Sequence, residues 1–99
     1  MFRLTRQRAD VFIRSLGETF DSHDFIKEYI RQAESEYVED LHSNGDTANH
    51  FFRACHSRIG TFLSRNASKL NIEKAGWVYS INCKGETTRN MSWRKTNAV

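Results

Sequence analysis

The sequence predicts one mostly helical α+β domain that spans residues 1–99 and carries its strands at the C-terminal end. A chain of 99 residues with 38% hydrophobic content is long enough for one packed core but not for two. The absence of proline favours long, uninterrupted helices. The spacing of apolar residues changes once, near Gly76, from a helical period to the alternation of a strand.

Three helical segments are expected before the first clear turn. Residues 5–16 place apolar side chains on one stripe, and Gly17 stands where this helix would end. Ser22 is a good N-cap for a second helix, which has Asp24 in its first turn to complement the helix dipole. A short third helix is expected over residues 35–42.

The longest helix is expected from Ala48 to Asn66, after a turn formed by Ser-Asn-Gly-Asp at residues 43–46. At 100° per residue, one apolar stripe of this helix is centred on Cys55. The stripe contains Phe51, Phe52, Cys55, Ile59, Phe62 and Leu63. If the helix is continuous, we expect Phe62 to be deeply buried against the first two helices and the C-terminal strands.

Two β-rich runs follow, at residues 77–81 and 87–95, and they surround a glycine-containing loop. This pattern predicts a β-hairpin. One hairpin alone is marginally stable in water, so Trp77 or Trp93 is expected to pack on the helices. Aromatic residues in such a hairpin are more often core anchors than platforms for stacking bases.

Charge is divided unevenly along the chain. Residues 18–46 hold nine acidic and two basic side chains, whereas residues 47–99 hold nine basic and two acidic ones. The net charge of +3 therefore hides a basic C-terminal half, which is typical of proteins that bind a polyanion. The polar face of the helix predicted at 48–66 has Arg53 at its centre and no carboxylate, which suits close approach to phosphates. An ordinary solvated face is the alternative.

The order of these elements carries a resemblance to a known superfamily. The residues that carry it are the turn SNGD (43–46), the helix ANHFFRACHSRIGTFLSRN (48–66) and the hairpin WVYSINCKGETTRNMSWRK (77–95). Helices, a turn, a long helix and a terminal hairpin together resemble the winged helix-turn-helix DNA-binding superfamily. The resemblance covers nearly the whole chain and rests on architecture. It implies that the long helix is a recognition helix and that the hairpin is the wing.

The resemblance implies double-stranded DNA as the partner and a role as a small transcription regulator or DNA-processing accessory factor. Major-groove contacts are implied for Asn49, His50, Arg53 and Ser57, with Arg53 as the best candidate for a guanine contact. Phosphate contacts are implied for Arg58, Arg65 and Lys69, and wing contacts with the backbone or minor groove for Lys84 and Arg89. The alternative is a winged-helix protein–protein interaction module that binds no nucleic acid, or a homodimer.

Neither an enzyme nor a metal or cofactor site is expected. Cys55 and His56 are neighbours on one helix, so their side chains diverge by about 100° and cannot form a nucleophile–base pair. Cys55, His50 and Cys83 lack the paired spacing of a zinc site, and no glycine-rich phosphate loop is present. No apolar run approaches the roughly 20 residues that cross a membrane, so a cytoplasmic protein without a membrane partner is expected.

Overall fold

The computed structural model describes residues 3–42 and 51–96, with the backbone alone at residues 51 and 52. These residues form a small α+β fold with three helices and one three-stranded antiparallel sheet. The elements are α1 (Arg6–Arg14), β1 (Thr19–Asp21), α2 (Ser22–His42), α3 (Phe51–Leu70), β2 (Ile72–Ile81) and β3 (Thr87–Lys95). The sheet order is β1-β3-β2, so β3 is central and the hairpin strand β2 lies at an edge.

The start of α2 differs from the sequence prediction. Asp21, rather than Ser22, caps the helix: its carboxylate accepts the backbone N–H of Asp24 at 2.8 Å. The carboxylate of Asp24 in turn accepts the backbone N–H of Asp21 at 3.1 Å, which completes a reciprocal capping pair. Ser22 is already helical, and its hydroxyl accepts the indole N–H of the buried Trp93 at 3.1 Å.

The third helical segment predicted over residues 35–42 is present as the part of α2 that follows a kink. Helix α2 continues from Ser22 to His42 and is kinked at Ala33, where the backbone leaves helical geometry. Near its C-terminal end, the fully buried carboxylate of Asp40 accepts the hydroxyl of Tyr29 at 2.6 Å and the backbone N–H of Leu4 at 3.1 Å. Asp40 thereby ties the start of the chain to both halves of the kinked helix.

The predicted end of the long helix at Asn66 is wrong. Helix α3 continues to Leu70 and ends where Asn71 adopts a positive φ of 57°, a left-handed conformation that asparagine tolerates. The start predicted at Ala48 and the turn at 43–46 lie outside the described residues. Strand β2 then begins at Ile72 rather than after Gly76. Gly76 instead lies at an irregularity of the β2–β3 register, with a φ of 114°.

The buried residues confirm which side of α3 faces the core, and they correct one residue of the predicted apolar stripe. Cys55, Ile59 and Leu63 are fully buried, whereas Phe62, which we expected deep in the core, is only partly buried at its margin. The reason is angular: Phe62 lies one residue before Leu63 and therefore about 100° around the helix from it. Trp93 of β3 is the hairpin tryptophan that packs in the core.

Candidate nucleic-acid interface

The strand ends next to the hairpin tip are fixed to the N-terminal end of α2 by a polar cluster around His23. The two ring nitrogens of His23 lie 2.8 Å from the Ser80 hydroxyl and 3.2 Å from the Thr88 hydroxyl. Its backbone N–H donates to the side-chain oxygen of Asn90 at 2.9 Å. The cluster therefore joins α2 to both strands of the hairpin, and nearly all of its polar atoms are satisfied by neutral partners.

A second cluster attaches the hairpin tip to the helices. Nε2 of His56, on α3, lies 2.7 Å from the hydroxyl of Tyr37 on α2 and 3.9 Å from Sγ of Cys83 at the tip. Burial, with smaller contributions from His23 and Lys84, lowers the pKa of His56 to about 4. The imidazole is therefore neutral at physiological pH. Because His23 holds the strands next to the tip and the second cluster holds the tip itself, the position of this end of the hairpin beside α3 is defined.

The exposed side of α3 is basic along its whole length. Helix α3 contains no acidic residue. Five side chains of the predicted interface are exposed on it: Arg53, Ser57, Arg58, Arg65 and Lys69. Residues of an interface must be exposed, and these five are. Their implied contacts with DNA stay predictions.

One groove follows the α3 surface and brings three of the predicted residues together. It has a volume of about 390 Å³. Its lining consists of Ser57, Arg58, Thr61, Phe62, Arg65 and Asn66. Arg58 and Arg65 are seven residues apart, close to two helical turns, and so lie on the same side of α3. Phe62 lines the same groove, where part of its ring is exposed.

A second groove separates α3 from the hairpin and has a volume of about 460 Å³. The helix contributes small or polar residues to this groove, among them Ser57, Gly60, Thr61 and Ser64. The strands contribute Lys74, Trp77, Arg89, Met91 and Trp93. Ser57 and Thr61 line both grooves and therefore form the ridge between them. No carboxylate lines either groove within the part of the chain that the structure describes.

The remaining predicted residues lie away from these grooves. Arg53 is exposed one turn before Ser57, and Lys69 is exposed near the C-terminal end of α3. Lys84 is exposed at the hairpin tip, with its ammonium 3.7 Å from the carboxylate of Glu86. Asn49 and His50 lie outside the described residues, so their implied groove contacts stay predictions.

The structure adds two side chains that the sequence reasoning did not include, Lys74 and Trp77. Trp77 is 61% exposed, and the guanidinium of Arg89 lies 4.7 Å from the centre of its ring. The pair Tyr79↔Arg89 in the strand register places Arg89 two residues from Trp77 on the same face. Strand alternation already put Trp77, Tyr79 and Ile81 on one face, and that signal would have found Trp77 but not Lys74, which lies beyond the register irregularity.

Other cations of the hairpin are engaged elsewhere. Arg94 forms an ion pair with Glu73, and the ammonium of Lys95 donates to the backbone carbonyl of Leu16 at 2.6 Å. By contrast, Arg53, Arg65, Lys69, Lys74 and Arg89 form no ion pair with any carboxylate of residues 3–42 or 51–96. Their positive charge is therefore not balanced by a carboxylate of these residues.

Comparison of the chain with known protein families, with curated proteins and with solved structures finds no match. Among the described residues, no helix is long and apolar enough to cross a membrane. The same residues contain no cluster of three or more histidine, cysteine, aspartate or glutamate side chains that would hold a metal ion. Cys55 and Cys83 are free thiols, and burial raises the pKa of Cys55 to about 12.

Proposed function

We propose that this chain binds double-stranded DNA through α3 and the β2–β3 hairpin, in the manner of a winged helix-turn-helix protein. One observation carries the proposal. The two grooves on either side of the Ser57–Thr61 ridge are lined by four cations, and no carboxylate of the described residues lines them. The four cations are Arg58, Arg65, Lys74 and Arg89.

The distribution of these cations suits a helix in a major groove. A helix in that groove has a phosphate backbone on each side and base edges in front of it. Arg58 and Arg65 line one side of the α3 ridge, and Lys74 and Arg89 line the other. The ridge itself is made of small hydroxyl side chains, which allow close approach to bases. The 20 residues of α3 extend about 30 Å, enough to cross the width of the groove.

The proposal is tested by the salt dependence of binding to a fluorescently labelled duplex, measured by anisotropy. If five to seven phosphates are neutralised, log affinity should fall with log salt with a slope of about −4 to −6. The double variant Arg58→Ala/Arg65→Ala should make the slope shallower by about two. A matched double variant, Arg14→Ala/Arg31→Ala, removes two exposed arginines from α1 and α2 and should leave the slope unchanged.

Two outcomes of this series contradict the proposal. The first is that the wild-type protein fails to bind any duplex at low salt. The second is that the α1/α2 control loses as much slope as the α3 variant, because binding would then follow overall charge rather than these grooves.

Base reading and wing contacts are tested separately, after selection of a preferred site from random duplexes. Arg53→Ala should weaken binding to that site by about 1–3 kcal/mol and have less effect on unrelated duplexes. Lys84→Ala/Arg89→Ala should weaken binding to all duplexes similarly and make the salt slope shallower by about one to two. An unchanged preference in folded Arg53→Ala would remove that arginine from the base-reading contacts.

One feature favours a second candidate function, a protein–protein interaction module. Strand β2 is an edge strand and exposes three large apolar side chains, Trp77, Tyr79 and Ile81. Exposed edge strands are sites of strand addition by a partner. A protein that binds only through this edge should show no steep salt dependence with DNA, so the same series separates the two functions.

A further inference from the structure

The hairpin exposes an apolar face that its folding does not require. Trp77, Tyr79 and Ile81 are 61%, 74% and 54% exposed. They alternate along β2, and their partners across the strand pair are Met91, Arg89 and Thr87. The hairpin is held by other contacts: buried Trp93, the His23 cluster and the Tyr37–His56–Cys83 cluster. The exposed aromatic residues are therefore free to serve a ligand.

We infer that this face stacks unpaired bases, so that the preferred ligand is a DNA duplex with single-stranded nucleotides next to it. The inference rests on the proposed duplex binding by α3 and names the structure of the DNA that the same surface selects. The Trp77–Arg89 pair is the proposed stacking site, with Tyr79 and Ile81 extending it toward the hairpin tip.

The chemistry of the Trp77–Arg89 pair fits a base better than a peptide. An indole with a guanidinium 4.7 Å from its centre offers an aromatic surface with a positive charge beside it. An unpaired nucleotide supplies both complements, a π face and a phosphate. Inside a duplex the faces of the bases are covered by their neighbours, so Trp77 can stack only on an unpaired base or on the pair at a duplex end.

The charge of the adjoining groove points the same way. Lys74 and Arg89 line it, and among its described lining residues no carboxylate balances them. A peptide that covered Trp77 with apolar side chains would leave these two cations without a counter-charge. A nucleotide backbone supplies that counter-charge directly.

The position of the groove links the stacking site to the helix that is proposed to bind the duplex. Trp77 and Arg89 line the same groove as Ser57 and Gly60 of α3. A Cβ atom built on Gly60 would meet no atom within 4 Å, so the helix side of the groove is open. A strand leaving the duplex beside α3 would therefore reach Trp77 without crossing another part of the described chain.

The test compares three DNAs: a blunt duplex, the same duplex with a single-stranded extension at either its 5′ or its 3′ end, and the single strand alone. Base stacking on an aromatic side chain should raise affinity for one extended duplex over the blunt one by about 5- to 150-fold per stacked base. Trp77→Ala should abolish this preference, so that this variant binds the blunt and the extended duplexes with equal affinity. Val11→Ala, which truncates an exposed apolar residue on α1, should preserve it.

Tryptophan fluorescence provides a direct readout of stacking. The chain has two tryptophans, and Trp93 is buried while Trp77 is exposed. The extended duplex should quench emission in the wild-type protein, and Trp77→Phe should remove that quenching while retaining part of the affinity preference.

The outcomes separate this inference from the proposed function. If blunt and extended duplexes bind equally well, or if Trp77→Ala keeps the preference, the inference is overturned and duplex binding still stands. If none of the three DNAs binds, both are overturned, and the exposed β2 face is left as a surface for a protein partner.

Discussion

The phase of α3 decides which of its sides faces DNA, and truncating two adjacent side chains tests that phase. Leu63 is fully buried in the core, whereas Phe62 lies at the core margin and partly in a surface groove. Leu63→Ala should cost about 3–5 kcal/mol, because it loses the transfer free energy of the side chain and leaves a cavity. Phe62→Ala removes more atoms but should cost only about 1–2 kcal/mol, because part of the ring is already in water.

These magnitudes are large for a domain of this size, whose total stability is expected to be about 5–15 kcal/mol. Each 1 kcal/mol should lower Tm by about 4–8 °C, so Leu63→Ala should lower it by at least about 12 °C. Urea denaturation followed by circular dichroism at pH 7 measures both variants. Arg65→Ala, an exposed control on the same helix, should stay within about 0.5 kcal/mol of wild type.

The order of the two losses is the decisive result. If Phe62→Ala costs more than Leu63→Ala, with unchanged m-values, α3 is rotated from the position described above. The side that carries Arg58 and Arg65 would then turn toward the core. The DNA-binding proposal would then lose its basis, because Arg58 and Arg65 would no longer line an exposed groove.

Two further predictions concern α3. Gly60→Ala should raise the free energy of unfolding by about 0.5–1 kcal/mol, because glycine weakens a helix interior and the added Cβ meets no atom within 4 Å; a loss in urea denaturation would contradict a continuous helix there. For His56, burial lowers the pKa from 6.5 to about 4, so the folded protein binds fewer protons than the unfolded chain and loses stability as the pH falls from about 6.5 toward 4. Between pH 7 and pH 5 this effect should cost the wild-type protein about 1–2 kcal/mol, a loss that partial solvation of the imidazole keeps small. The variant His56→Gln should lack this part of the stability loss. Equal losses in both proteins would refute the role of His56.

The long helix could be predicted from the sequence because its apolar stripe extends over several turns. Cys55, Ile59 and Leu63 recur at every fourth residue and are all fully buried. The end of the helix was missed because neither glycine nor proline marks it; Asn71 ends it through its left-handed conformation. Strand β1 was missed because three residues are too few to show a period, and it becomes a strand only by pairing with β3.

The different roles of the two hairpin tryptophans could not be read from the alternating pattern. Trp77 and Trp93 both occur in β-rich runs, and either could have anchored the hairpin. Trp93 is buried because it lies on the central strand, where it pairs with Phe20 on one side and Lys74 on the other. Trp77 lies on the edge strand beyond the irregularity at Gly76. This difference depends on the strand order, which local sequence does not encode.

The two clusters that hold the hairpin have a consequence for binding. A hairpin fixed only at its root would have to be ordered when a ligand enters, and that ordering would reduce affinity. Here the root is held by the pairing of β3 with β1, while His23 holds the strands next to the tip, and Tyr37 and His56 hold the tip through Cys83. The groove between α3 and the hairpin therefore keeps its width without a ligand, so Trp77 and Arg89 face it from a preformed position. His56 is neutral at physiological pH, so this arrangement does not bury a charged imidazole there. Its hydrogen bond to Tyr37 therefore links the stability of the fold to the position of the hairpin tip at the proposed interface.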